Sequence, residues 1–266
     1  MKNNIRNLAT YGILPWILAG IVLLFVATVA TFVFDKAKQQ EQTTVKALLD
    51  TEANRITRTI AHSLATYETV MRGVQGFFQG SESVDYREFV EYTTTLRAAE
   101  TLFGVQGIAY VAVVNSNHLD EHVQSIGEQL PIPYHVHPES LEQEIAPIQF
   151  IDPIQGANSS AVGFDIFSNA VAKKSAIQAR DSGKTVITPP LTLIQDANNP
   201  EHRSFVMYLP VYQAHLSPQS INERKAALMG WIDVPIRMHD FMTSINGTFN
   251  PHVSYEIRDT GLPDNT

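Results

Sequence analysis

The chain has 266 residues, 44% of them hydrophobic and 17% charged, and 27 Asp and Glu against 19 Lys and Arg leave a formal net charge of −8. That balance excludes a disordered polymer and argues against a nucleic-acid partner. Cysteine is absent, which removes disulfides and thiolate chemistry, and a chain of this length buries enough apolar surface to fold without them.

The first element is set by Ile13 to Phe34, 22 residues without one charged side chain. At ~1.5 Å rise per residue such a run crosses the hydrocarbon core as a helix, for which ~20 apolar residues suffice. Lys2 and Arg6 precede it, and Asp35, Lys36, Lys38 and Glu41 follow. The basic count leans slightly towards a cytoplasmic segment at residues 1–12. A cleaved signal peptide is the alternative, but its apolar core spans only ~7–15 residues, and no small-x-small site ends this run cleanly. The expectation is an uncleaved signal anchor at 13–34, and either reading sends the remainder out of the cytoplasm.

Apolar residues then recur at Val45, Leu49, Ala53, Ile56, Ile60, Leu64, Tyr67, Met71, Val74 and Phe78, in steps of three and four. The pattern predicts a stalk helix over 35–80 with one apolar stripe. After Ile60 the stripe is expected to pack on its own domain, and before it the near-heptad step suits a homodimeric coiled coil. Gly73, Gly76 and Gly80 are expected to loosen and end the helix.

Asp85 with Glu88 reads as a capping box opening a helix from Tyr86 to about Arg97. Val105–Val114 is rich in β-branched residues and reads as a buried strand. Ser116 or Asn117 caps a helix to about Gln129, broken by Pro131 and Pro133. Strand-like runs follow at Tyr134–His137 and Ile148–Ile151. Ser168 or Asn169 then caps a helix to Arg180, with Gly183 in the left-handed terminating position. Strands are expected at 185–188, 191–194, 205–212 and 226–234, a helix from Pro235 to Ile245, and a last strand near 253–258. Short helices leading twice into antiparallel strands indicate an α+β fold with one or two mixed sheets.

In this order, Tyr86-Arg-Glu-Phe89, Gly163-Phe-Asp165 with Ser168, Ala179-Arg180 with Gly183, Val186-Ile-Thr188, Leu191, Tyr208-Leu-Pro-Val-Tyr212 and Gly230-Trp231 resemble the CHASE domain. This is the extracytoplasmic sensor of histidine kinases and cyclic-dinucleotide enzymes, whose plant members include the cytokinin receptors, and the similarity covers roughly Lys46 to Arg258. The resemblance implies a sensor domain over 81–258 built of two PAS-like mixed α/β subdomains, distal at about 81–212 and proximal at about 213–258. It places a small organic ligand in the distal one, against positions Phe150, Asp152, Gly156, Val162, Thr188, Leu191, Phe205 and Tyr208. Thr188 matches a pocket threonine of the cytokinin receptors. The carboxylate that anchors adenine in those receptors falls at Gly156, which has no side chain, so cytokinin itself is not the expected ligand. Asp152 is the nearest substitute, although an aspartate before Pro153 also serves as a turn residue.

Other polar residues carry two readings each. Asp165 either caps the following helix or meets ligand, and Arg180 complements a helix C-terminus or meets an anion. Tyr208 packs or contacts ligand, Arg203 is a solvated loop residue, and His135 and His137 are surface residues. The competing chemical motif is His118-Leu-Asp-Glu121-His122, the H-x-x-E-H string of inverted zincins. Two histidines four apart on a helix can grip zinc while the glutamate activates water, so an extracytoplasmic zinc hydrolase is the alternative function. The leading expectation is a membrane-anchored, non-enzymatic sensor without a cofactor, binding an unidentified small organic ligand and dimerising through its stalk. Residues 259–266 then form a tail towards a second span, and the chain is a piece of a receptor whose cytoplasmic part is a histidine kinase or a diguanylate cyclase or phosphodiesterase.

Overall fold

The computed structural model describes residues 5–99, 102–199, 201–214 and 216–246. The strand expected at 253–258 and the tail at 259–266 lie outside the described residues. The chain divides into two compact units, residues 1–55 and 56–266. Helix α1 (Ile5–Gly80) supplies the described part of the first unit. It carries a segment long and apolar enough to cross a membrane, whose side chains are exposed.

In the second unit α1 continues from Ile56 through Gly73 and Gly76 and ends at Gly80. Its side chains Tyr67, Val70, Met71, Val74 and Phe78 are buried, so the later half of the apolar stripe packs on its own domain, as the periodicity predicted. Each such side chain contributes about 1.5–3 kcal/mol when fully buried. Helix α2 (Tyr86–Ala99) opens on the expected capping box: Asp85 Oδ1 accepts from Glu88 N at 2.8 Å and Glu88 Oε2 from Asp85 N at 3.1 Å.

Five strands follow that form one sheet: β1 (Ile108–Ala112), β4 (Ile148–Asp152), β5 (Val186–Ile187), β6 (Ser204–Tyr212) and β7 (Leu228–Arg237). A two-stranded ribbon pairs β2 (Val114–Asn115) with β3 (Glu144–Ile145). The large sheet has the order β4-β1-β7-β6-β5, and its named pairings are all antiparallel. The mixed sheet expected from the sequence is thus corrected to an antiparallel one. β7 lies at its centre and pairs with β6 from Ser204↔Arg237 to Tyr212↔Leu228. A division between residues 212 and 213 would fall between these two partners.

Several expected elements change length or kind. The helix expected from Ser116 begins as a 3-10 turn over Ser116–His118, capped by Asn115, and becomes α3 (Leu119–Gly127). The strands expected at 134–137 and 191–194 reduce to single bridges, His137↔Phe164 and Leu191↔Ser204. Pro235, expected to open a helix, is a β7 residue, and α6 (Met238–Asn246) starts three residues later. Helix α4 (Ala170–Ser182) is capped by Asn169 and ended by Gly183 at φ 69, both as expected. Helix α5 (Ile221–Ala227) was not expected, although Ser220 with Glu223 forms a second capping box at its start.

Strand alternation assigns each residue to one face of the sheet. On one face Tyr110 stacks on Phe78 of α1 at 4.0 Å between ring centroids, Phe150 packs on Phe89 of α2, and Phe205 meets Phe241 of α6. On the other Trp231 donates from Nε1 to Ala176 O of α4 at 2.9 Å and packs edge-on against Phe167. Between that second face and α4 lies the cavity described next.

Candidate functional site: a cavity between the sheet and helix α4

The cavity has a volume of about 280 Å³. Its floor is the sheet: Ala109 of β1, Ile148 and Ile151 of β4, Val206 and Tyr208 of β6, and Asp233 and Pro235 of β7. Its walls are Phe164 and Ile166 from the turn before α4, Asn169 and Ala172 from the start of α4, and the segment Leu191–Gln195 with Ala197. Ala109, Asp233 and Tyr208 form one cross-strand row, since Ala109 and Tyr208 are the partners of Asp233 on either side.

Asp233 dominates the chemistry. It is 3% exposed, and its Oδ1 has no hydrogen-bond partner. Burial pushes its carboxyl up from 3.8 to about 8, because the charged form is desolvated among apolar neighbours. Tyr208 opposite is held well above the usual phenol value, first by burial and then by the carboxylate of Asp233. The polar remainder of the lining is Asn169, whose Oδ1 caps α4 by accepting from Val171 N and Ala172 N, together with Thr192 and Gln195.

The segment that closes one wall is held by an ion pair. Asp196 is 3% exposed and receives Arg237 bidentately, Nη2 to Oδ1 at 2.7 Å and Nε to Oδ2 at 2.9 Å. His202 Nδ1 lies 3.5 Å from the same carboxylate. Burial alone would raise the Asp196 carboxyl, but the hydrogen bond and charge of Arg237, with His202 adding to them, hold it below its ordinary value. Arg237 is the last residue of β7, so this pair ties the 194–197 wall to the strand that carries Asp233.

Of the residues expected to contact a ligand, Leu191 and Tyr208 line this cavity. Phe150 and Phe205 face away because alternation turns them to the α1 side of the sheet, leaving their neighbours Ile151 and Val206 in the cavity. Asp152 is engaged by α2: it forms an ion pair with Arg97 at 3.0 Å, and Thr93 Oγ1 lies 2.9 Å and Thr94 Oγ1 3.3 Å from its Oδ2. Thr188 is buried and turns its Oγ1 back to accept from Val206 N at 3.0 Å. Gly156 opens a 3-10 turn at φ 66 with open space where a side chain would be. Val162 is buried outside the lining, its carbonyl 3.2 Å from His137 Nε2.

The remaining residues also find structural partners. Asp165 Oδ1 accepts from Ala146 N at 2.8 Å and Phe167 N at 3.0 Å, the capping reading. Arg180 pairs with Asp181 at 2.7 Å, and Arg203 is exposed. His118 and His122 are not brought together with a third ligand: His118 Nδ1 lies 3.3 Å from Glu121 and His122 Nε2 2.8 Å from Tyr134 Oη. Burial lowers His122 to about 4. Among the described residues no group of three or more His, Asp or Glu is placed to hold a metal.

Asp233 was not singled out from the sequence. Its signal was available, since an acid in the middle of Gly-Trp-Ile-Asp-Val-Pro-Ile, a run otherwise fit for a buried strand, has to be partnered or kept neutral.

Residues 82–266 match the CHASE domain. The chain belongs to the CHASE domain family of sensor domains. Histidine kinase 3 of Arabidopsis thaliana is 22% identical over 244 residues, covering 85% of this chain and 22% of the kinase. Histidine kinase 2 of the same plant is 25% identical over 164 residues, covering 56% of this chain and 13% of that kinase. The chain thus spans less than a quarter of the length of either relative.

Proposed function

We propose that this chain is the extracytoplasmic sensor part of a membrane signalling receptor and that a small organic ligand occupies the cavity beneath α4. The observation that carries the reading is Asp233: a buried carboxyl with an unpartnered oxygen, lining an otherwise mostly apolar cavity. Such a group is costly in an unliganded fold and is the kind of placed polar anchor that orients a ligand in an apolar pocket.

In this reading residues 13–34 anchor the chain in the membrane with residues 1–12 on the cytoplasmic side, and the anchor is not cleaved. The five-stranded sheet, with β7 as its central strand, is a PAS-like part of this sensor. The exposed stripe residues Val45 and Leu49, 49% and 47% accessible in the single chain, form the homodimer contact. Ligand binding shifts the dimer between two states to the extent that the two states differ in affinity. The two histidine kinase relatives favour a kinase over a cyclic-dinucleotide enzyme as the cytoplasmic partner domain.

The test is a thermal-shift screen of small metabolites on the detergent-solubilised full chain, repeated on Ala172→Leu, which fills the cavity from α4. At least one compound is expected to raise the melting temperature of the wild type and not of the variant. Hits that stabilise both equally would overturn the site.

A further inference from the structure

We propose that the cavity selects a small apolar amine, whose protonated nitrogen donates to Asp233 while its carbon skeleton fills the space between the sheet and α4. The inference rests on the sensor reading above and narrows the chemistry of the same site. Its ground is geometric. Asp233 stands in the centre strand, between Ala109 on β1 and Tyr208 on β6, and its Oδ1 is buried with no donor.

Among the lining residues Asp233 is the one carboxyl, and neither Lys nor Arg is present. An anionic ligand would therefore enter without a counter-charge and against a carboxyl. A purely apolar ligand would fill the space and leave Oδ1 without a partner. A ligand with an ammonium group supplies both the missing donor and the missing charge.

The groups around Asp233 leave it free for that role. Tyr208 is the other titratable side chain of the lining. Arg237, four residues along the same strand, is committed to Asp196 by two hydrogen bonds. Ala109 on β1 and Asn169 and Ala172 on α4 bring no charge. Because burial holds the Asp233 carboxyl near 8, binding an ammonium at neutral pH converts the acid to carboxylate and releases its proton.

Phenethylamine, phenethyl alcohol and phenylacetate share a skeleton and separate the three cases. Each is titrated against the full chain in detergent, and against Ala172→Leu and Asp233→Asn. The expected result is that phenethylamine binds at least ten-fold tighter than the other two, and that Asp233→Asn removes this preference while Ala172→Leu removes all binding. Its affinity for the wild type should also rise from pH 6 to pH 8, where the amine stays protonated, while that of the alcohol does not. The pH series keeps the proposal testable if Asp233→Asn fails to fold. Alcohol or phenylacetate binding as well as the amine, with loss in Ala172→Leu, overturns the amine assignment and leaves the cavity reading intact. Binding of none of the three overturns the amine assignment, and the metabolite screen then decides the cavity reading by itself.

Discussion

Tyr208 and Asp233 are cross-strand partners on β6 and β7 and line the same cavity. Both are buried, which raises both groups, and the charge of Asp233 raises Tyr208 further.

The raised carboxyl of Asp233 makes stability depend on pH with a definite sign. An acid with a folded-state value near 8 and an ordinary value of 3.8 contributes stability that is full below the lower value and lost as pH rises through the upper one. Asp233→Asn removes that loss. The variant is expected to gain on the wild type progressively between pH 4 and pH 8, by on the order of 2–5 kcal/mol at the upper end. Thermal melts of both proteins across this range check it, and a constant difference would show that Asp233 does not titrate as described.

The Asp196–Arg237 pair has the opposite sign. A carboxyl held below its ordinary value contributes stability above that value and loses it as pH falls through the lowered one. Removing the cation leaves a buried charge without its partner, which costs about 3–5 kcal/mol for a fully buried pair and less here because Arg237 is partly accessible. Arg237→Gln is expected to lower the melting temperature at pH 7 and to cost less at pH 3. Hydrogen exchange should quicken in residues 194–197 before it does in β6.

Asp152 separates a structural acid from a ligand-binding one. Asp152→Ala breaks the ion pair with Arg97 and strips Thr93 and Thr94 of their carboxylate partner, a loss of about 2–3 kcal/mol for a buried hydrogen-bonded charge. Ligand affinity of the full chain, measured below the melting transition, is expected to stay within about two-fold of wild type, since a change of that size is under ~0.5 kcal/mol. A loss of affinity matching that of Tyr208→Ala would return Asp152 to the pocket.

Two glycines with positive φ differ in what a side chain would meet. At Gly163, φ 80, an added Cβ would collide with His135 O, whereas at Gly156, φ 66, it meets open space. Gly156→Ala is expected to cost about 1–2 kcal/mol, the left-handed penalty alone. Gly163→Ala should cost clearly more, because backbone has to move as well. Equal losses in chemical denaturation would refute the close packing of 135 against 163.

Much of the fold was legible because it is coded locally. The capping box of α2, Asn169 and Gly183 at the ends of α4, and the apolar run of 13–34 need only their own neighbours. The site was legible only in part. Of the residues expected to meet a ligand, Leu191 and Tyr208 line the cavity, while the pleat turns Phe150 and Phe205 to the opposite face. Phe205 and Tyr208 are three residues apart on one strand, so they cannot share a face.

By itself the sequence determined the apolar helix, the stripe of α1 with its buried half, the α+β class and the family, since each is carried by periodicity, capping chemistry or ordered motifs along the chain. Only the tertiary structure decided that β7 crosses to the centre of the sheet between β1 and β6. Its pairing with β1 joins residues more than a hundred positions apart, such as Ala109 and Asp233, and no local pattern specifies it. It sets Asp233 between Ala109 and Tyr208 under α4, and so makes a strand aspartate the one carboxyl of the cavity lining.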